Sequence, residues 1–190
     1  MTDCHNTLSG KSIILLESLI KYYKTNIQAF TSIITQKSAI SLRILDWLIT
    51  NYAKKNNINY NIQINNETIN FNIYLDYKNQ LKAYSKKLFD PFCRRERIKI
   101  NIQTLEWSIY NKNDIIKEDE LITTVGQLNF FKWFIQNDII KYAINNIQEI
   151  DLDMTSTLEE SKQTNKRKEL SKCASKTYIK CEQNTQITFN

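Results

Sequence analysis

Apolar positions from Lys11 onward recur every three to four residues. Ile13, Leu16, Ile20 and Tyr23 fall on one stripe, which predicts an amphipathic helix. The residues before it, 1–10, are small and polar, a composition expected of a flexible terminus. Residues 26–37 have no decisive period and fit either a continuation of the helix or a buried loop. Ser38 reads as the N-cap of a second helix, SAISLRILDWLITNYAKK. Its stripe is Ser41, Leu45, Leu48 and Tyr52, widened by Ile44, Trp47 and Ile49. Lys54 and Lys55 close it where the helix dipole favours cations.

After Asn57 the period changes to two. Ile58, Tyr60, Ile62 and Ile64 alternate with Asn59, Asn61 and Gln63. Beyond an NNET turn, Ile69, Phe71, Ile73, Leu75 and Tyr77 resume the alternation. Two half-buried strands in an antiparallel hairpin are expected. RIKINIQ predicts a third strand with Ile98, Ile100 and Ile102 inward. LEWSIY alternates on the opposite parity through Leu105, Trp107 and Ile109, so a bulge or a very tight turn belongs at Gln103–Thr104. NKNDIIKEDE reads as a polar, acidic loop.

Thr124 and Gln127 have the spacing of a capping box and open VGQLNFFKWFIQNDIIKYAINNIQEI, the longest predicted helix. Leu128, Phe131, Ile135, Ile139, Tyr142, Ile147 and Ile150 form its stripe. Phe130, Trp133 and Phe134 spread the apolar surface so far that the first two turns must be nearly enclosed. The expected fold class is α+β, a single domain over residues 11–155. A central antiparallel sheet of three to five strands is covered by N-terminal and C-terminal helices. A charged basic tail, 156–190, ends in TQITF, a β-like stretch suited to docking on the sheet or on a partner.

Composition limits what single residues can mean. Lys outnumbers Arg by 21 to 5, Ile and Asn are abundant, and there are only two Gly and one Pro. This is the bias of A+T-rich coding, so turns have to be built from Asn and Asp, which tolerate left-handed backbone. The net charge of +6 suits an anionic partner without demanding one. The best apolar run, Ile13–Ile20, is broken by Glu17 and followed by Lys21, so no membrane partner is expected. Cys4, Cys93, Cys173 and Cys181 lack CxxC spacing and read as free thiols of a reducing compartment.

The most chemically loaded stretch is KKLFDPFCRRERIKI, residues 86–100. Pro91 pushes Asp90 out of the α region and implies a structured turn. Arg94, Arg95 and Arg97 could fork around an anion. The simpler reading is a turn that Phe89 and Phe92 pin to the core, with the arginines in solvent. The basic strip is wider: Lys78, Lys82, Lys86, Lys87, Arg94, Arg95, Arg97 and Lys99 face only Asp90 and Glu96, with Tyr77 and Tyr84 interleaved. Such a strip fits a groove that tracks phosphates and stacks bases, an acidic partner protein, or the chain's own acidic loop from Asp114 to Glu120. Lys166, Arg167 and Lys168 form a second basic patch in the tail.

Catalytic parts are harder to assemble. The GKS run at 10–12 lacks the glycine that a phosphate loop needs five residues earlier, where His5 stands. His5 is the one histidine and lies in the flexible N-terminus, which leaves a triad or a metal site short of members. Glu149 and Asp153 share a helix face, as surface carboxylates commonly do, and the sequon at Asn66 is unsurprising in an Asn-rich chain. No catalytic, cofactor-binding or metal-binding residue is expected. Cys93 as a nucleophile, or an unrecognised carboxylate, is what an enzymatic reading would have to use.

Three blocks carry a resemblance: SAISLRILDWLITNYAKKNN, FNIYLDYKNQLKAYSKKLFDPFCRRERI and TTVGQLNFFKWFIQNDIIKYA. Over residues 38–154 the chain resembles a family of small proteins of large nucleocytoplasmic DNA viruses of the mimivirus and iridovirus kind. The block from Phe71 to Ile98 is the most specific, and KRKELSKCASK…ITF is similar to the family's basic tail. The resemblance implies a virus-encoded protein acting in the host cytoplasm or in the virion, and gives no residue a role. The leading expectation is a non-enzymatic structural or interaction protein, a virion component or assembly factor. Its partners would be other viral proteins, a homo-oligomer included. The alternative is a nucleic-acid-binding accessory protein using the strip 78–99 and the tail.

Overall fold

The computed structural model describes residues 8–35, 40–64 and 67–164. The Ser9 hydroxyl accepts the Ser12 N–H at 3.3 Å and caps α1 (Gly10–Ile34). The Gly-Lys-Ser run is therefore a capped helix start, and the ambiguous stretch after residue 26 continues the helix to Ile34. The buried face is Ser12, Leu16, Leu19, Tyr23, Phe30 and Ile33, with Ile13 and Ile20 only half-buried at its edge.

The second helical segment consists of α2 (Leu42–Trp47), a π-helical turn (Leu48–Tyr52) and α3 (Ala53–Lys55). Its N-cap is Ser41, whose hydroxyl accepts the Ile44 N–H at 3.3 Å. Ser41 thus leaves the apolar stripe, and Ser38 lies outside the described residues. The wider π turn brings Leu45, Leu48, Ile49, Tyr52 and Ala53 all into the core.

The hairpin pairs as expected in its first half, although Ile69, expected inward, is 42% exposed. Strands β1 (Asn59–Ile64) and β2 (Glu67–Asn72) run antiparallel, with Tyr60 opposite Phe71 and Ile62 opposite Ile69. The alternation then ends, and residues read as strand form α4 (Ile73–Tyr84). The Asn72 side chain accepts the Leu75 N–H at 2.8 Å and starts a helix there. Leu75, which the strand reading buried, is 61% exposed. A short apolar run fits both periods, and the cap decides between them.

A second sheet has the order β4-β3-β5, all antiparallel, from β3 (Arg97–Asn101), β4 (Trp107–Ile109) and β5 (Glu120–Thr124). Ile98 and Ile100 are buried, opposite Ile109 and Trp107 on one side and Thr123 and Leu121 on the other. The parity break is a tight turn. The Asn101 side chain accepts the N–H groups of Gln103 and Thr104 at 2.8 and 2.9 Å, and Leu105 turns to φ 60°. Strand β5 was not foreseen. It passes straight into a helix, so Thr124 is at once the last strand residue and the N-cap.

The predicted last helix is three: α5 (Val125–Gln136), α6 (Ile139–Asn145) and α7 (Ile147–Thr164). Asp138 at φ 53° makes the first break and Asn146 the second, leaving α1 the longest helix among the described residues. Neither glycine has positive φ; Asn57, Ser85, Leu105 and Asp138 take that conformation instead. Helix α7 runs past Met154, while TQITF, Lys166, Arg167 and Lys168 lie outside the described residues.

Every side chain from Val125 to Phe131 is buried, so the start of α5 is the centre of the core. Helix α1 packs on it, with the Tyr23 hydroxyl donating to the Leu128 carbonyl at 2.7 Å and Phe30 meeting Phe131 at 5.9 Å. The Trp133 indole N–H donates to the Asp76 carboxylate of α4 at 2.5 Å. The Tyr60 hydroxyl donates to the Asn137 carbonyl at 2.7 Å, and its ring stacks on Tyr142. The start of α7 is tied to the second helical segment by Trp47 and Lys55 on Asp153, and by Tyr52 on Glu149. The fold is α+β.

Burial raises the Tyr23 and Tyr60 hydroxyls above the ordinary tyrosine range, and burial with the Glu149 hydrogen bond pushes Tyr52 up to about 12. The folded values lie above the unfolded one of about 10. The stability they contribute is therefore complete below pH 10 and is lost as the pH rises beyond it, because the unfolded chain ionises first. In an alkaline titration, phenolate absorbance from these residues should appear together with loss of far-ultraviolet circular dichroism. A phenolate signal equal to the full tyrosine content while the helix signal persists would contradict this.

Candidate functional site

The basic strip begins on α4 and continues through the loop that leads to β3. Ser85 ends the helix at φ 58° with its N–H on the Leu81 carbonyl, and residues 85–87 form a turn. The next residues lie across the start of α5. A Cβ at Gly126 would sit 2.9 Å from the Lys87 carbonyl oxygen, so the approach requires glycine there. The Asn129 side chain donates to the Leu88 carbonyl at 2.9 Å, and the Asp90 N–H donates to the Gly126 carbonyl at 3.3 Å. Gln127 matches the capping-box spacing, but only half the box forms. Thr124 accepts the Gln127 N–H, whereas the Gln127 side chain accepts from the Thr123 hydroxyl and donates to the Pro91 carbonyl at 2.8 Å.

Phe89 enters the core between Tyr84, Phe130 and Trp133. Asp90 is buried and takes both Nε (3.1 Å) and Nη2 of Arg94, whose guanidinium also lies 4.9 Å from the Phe92 ring centre. The Arg94 fork is thus occupied by the chain's own carboxylate, and the loaded stretch is first of all a clamp. Lys99 pairs with Glu120 of β5 at 3.5 Å, which is the internal pairing with the acidic segment considered above.

Residues 2–189 match the model of a protein family described as "Family of unknown function (DUF7197)". The chain belongs to this family. It is also 38% identical over 174 residues to a protein of Acanthamoeba polyphaga mimivirus named "Uncharacterized protein L507". That match covers 85% of this chain and 63% of the relative, so the chain spans less than two thirds of the relative's length. No solved structure matches. The resemblance read from the sequence holds, and the chain is a virus-encoded protein.

The loop and its neighbours divide the candidate residues. Arg94 and Lys99 are paired with carboxylates of the chain itself, Arg94 while still exposed, and Arg97 lies beside the Cys93 thiol. Lys82, Lys86, Lys87 and Arg95 are exposed and have no carboxylate partner among the described residues. Asp46 of α2 also belongs to this neighbourhood. Burial raises its carboxyl above the usual range, while Arg94 and Lys86 pull it back and Asp90 adds to the rise. Lys54 and Tyr74 were missed as members of the strip. Each places a side chain beside Lys78 or its ring neighbour, but α3 and α4 come from separate stretches of sequence.

Among the described residues, no three His, Cys, Asp or Glu side chains cluster as metal ligands, and no helix is long and apolar enough to cross a membrane. Burial pushes the Cys93 thiol up, with Arg97 acting in the opposite direction. A protein retaining Cys93 as its one cysteine should therefore react with a disulfide reagent at neutral pH more slowly than a small free thiol. Faster reaction would point to an activated nucleophile. Gly126→Ala should cost about 2 kcal/mol in urea unfolding, since backbone has to yield. Gly10→Ala, with nothing within 4 Å, should change stability by less than about 0.5 kcal/mol.

Proposed function

We propose that this protein is a non-enzymatic structural or interaction component of the virus particle or of its assembly. It acts in the host cytoplasm or in the virion through contacts with other viral proteins, a second copy of the chain being one such partner. The observation that carries this reading is the loop between β4 and β5. At one end the Asn111 N–H donates to the Asp114 carboxylate at 3.0 Å, and the Asp114 N–H to the Asn111 carbonyl at 2.9 Å. At the other, the Lys117 N–H donates to the Glu120 carboxylate at 2.9 Å, and the Glu120 N–H to the Lys117 carbonyl at 3.0 Å.

Between these two closed turns Ile115 is 87% exposed and Ile116 46%. An adjacent apolar pair on a loop braced at both ends fits an apolar pocket on a partner, as an interface anchor does. The raised Cys93 thiol and the occupied Arg94 fork support the non-enzymatic part of the reading.

A second reading, a nucleic-acid-binding accessory protein using the strip 78–99 and the tail, is favoured by Lys82, Lys86, Lys87 and Arg95, which are exposed and have no carboxylate partner among the described residues. The primary test is recovery of tagged protein from infected cells, beside a version carrying Ile115→Asp and Ile116→Asp. The parent should be found in purified particles or assembly intermediates together with defined viral partners. The double change should reduce those partners about tenfold, or 1.4 kcal/mol, without lowering the melting temperature. Absence of the parent from both particles and intermediates would sink the reading.

A further inference from the structure

Helix α4 carries Tyr74, Lys78 and Lys82 at successive intervals of four residues. That spacing puts all three on one face, with neighbours about 6 Å apart along the axis. Lys78 and Lys82 are exposed, and Lys86 follows in the turn beyond the helix. The helix has one acidic residue, Asp76, which is turned away and accepts from the Trp133 indole and from Gln80. Lys86 also lies near enough to α2 for its charge to lower the raised carboxyl of the half-buried Asp46.

The start of this row has a second lysine from another element. Lys54 of α3 and Lys78 each place their Nζ 5.9 Å from the centre of the Tyr74 ring. One half-buried ring thus faces two ammonium groups, and neither has a carboxylate partner among the described residues. The ring holds each exposed cation only weakly, so both stay available to a stronger partner. An anion is such a partner for either charge, and a flat aromatic group could share the ring.

We propose that α4 and the turn after it form a track for single-stranded nucleic acid. Tyr74 stacks a base there, and Lys54, Lys78, Lys82 and Lys86 contact successive phosphates. This rests on the nucleic-acid reading above and gives it a path and a strand state. A lysine about every 6 Å corresponds to one or two nucleotides of a strand. The ring favours unpaired bases, whose faces are open to stack, over a duplex, whose faces are closed. A purely acidic protein partner would use the lysines and leave the ring idle.

The test uses the full chain and fluorescence anisotropy with short labelled oligothymidylate and oligouridylate, a duplex of equal length, and polyglutamate as competitor, across a salt series. The single strands should bind more tightly than the duplex and resist polyglutamate. Lys78→Ala with Lys82→Ala should reduce the magnitude of the slope of log K against log salt by about 1.4, two phosphates at 0.7 each. Tyr74→Leu should weaken binding about tenfold and leave that slope unchanged.

No binding of any strand by the parent overturns the nucleic-acid reading as a whole. Binding that the α4 substitutions leave intact overturns the track alone, because the loop or the tail then carries the contact. Duplex preference, a silent Tyr74→Leu, or equal competition by polyglutamate also overturns the track. Each substituted residue is partly or fully exposed, so thermal melts matching the parent provide the folding control.

Discussion

The backbone of residues 87–91 passes so close to the first turn of α5 that position 126 has room for a hydrogen and no carbon. Much of the remaining architecture depends on that contact. Gln127 and Asn129 are buried polar residues, and each is satisfied by a carbonyl of the crossing loop. Without the loop they would be buried donors lacking acceptors, a larger cost than the hydrogen bonds themselves contribute. The loop in turn carries Phe89 into the aromatic core and sets the start of β3. One crossing therefore joins α4, the three-stranded sheet and the central helix.

The same crossing explains why a conspicuous run of arginine and proline is mostly structural. Asp90 must be buried for the loop to lie flat on α5, and a buried carboxylate needs a cation. Arg94 supplies it in a two-nitrogen contact and lies against Phe92. The outward cations of the strip without a carboxylate partner among the described residues belong to the helix and turn before the crossing and, in Arg95 and Arg97, to the residues after it. Function, as proposed, is left to parts that the core does not use: the braced isoleucine pair and the lysine face of α4.

Elements with a long, unbroken period were legible in the sequence. The first helix, the β1–β2 pairing, the inward isoleucines of β3 and the enclosed start of α5 all follow from spacing alone. The misread elements have specific causes. IYLDY fits alternation and helical spacing equally, and only the Asn72 cap separates them. Strand β5 lacks a loop of its own before the helix, so its end was hidden in a capping signal. In an Asn-rich chain, Asn137, Asp138 and Asn146 gave no warning that a helix would break. The basic strip was legible as a count of charges, but not which members have a carboxylate partner. Arg94 and Lys99 look no different from Lys82 until Asp90 and Glu120 are placed, and Tyr74 was hidden inside the mistaken strand.

The partnership of α1 with α5 has a consequence in time. The Tyr23 hydroxyl finds its carbonyl 105 residues later, and the phenyl ring of Phe30 waits almost as long for Phe131. A ribosome adding about 5–20 residues per second needs roughly 5–20 seconds to make that stretch. Through this interval the nascent chain has an apolar helical face without its partner. In an infected cell this interval, more than the finished fold, is where a chaperone has something to hold.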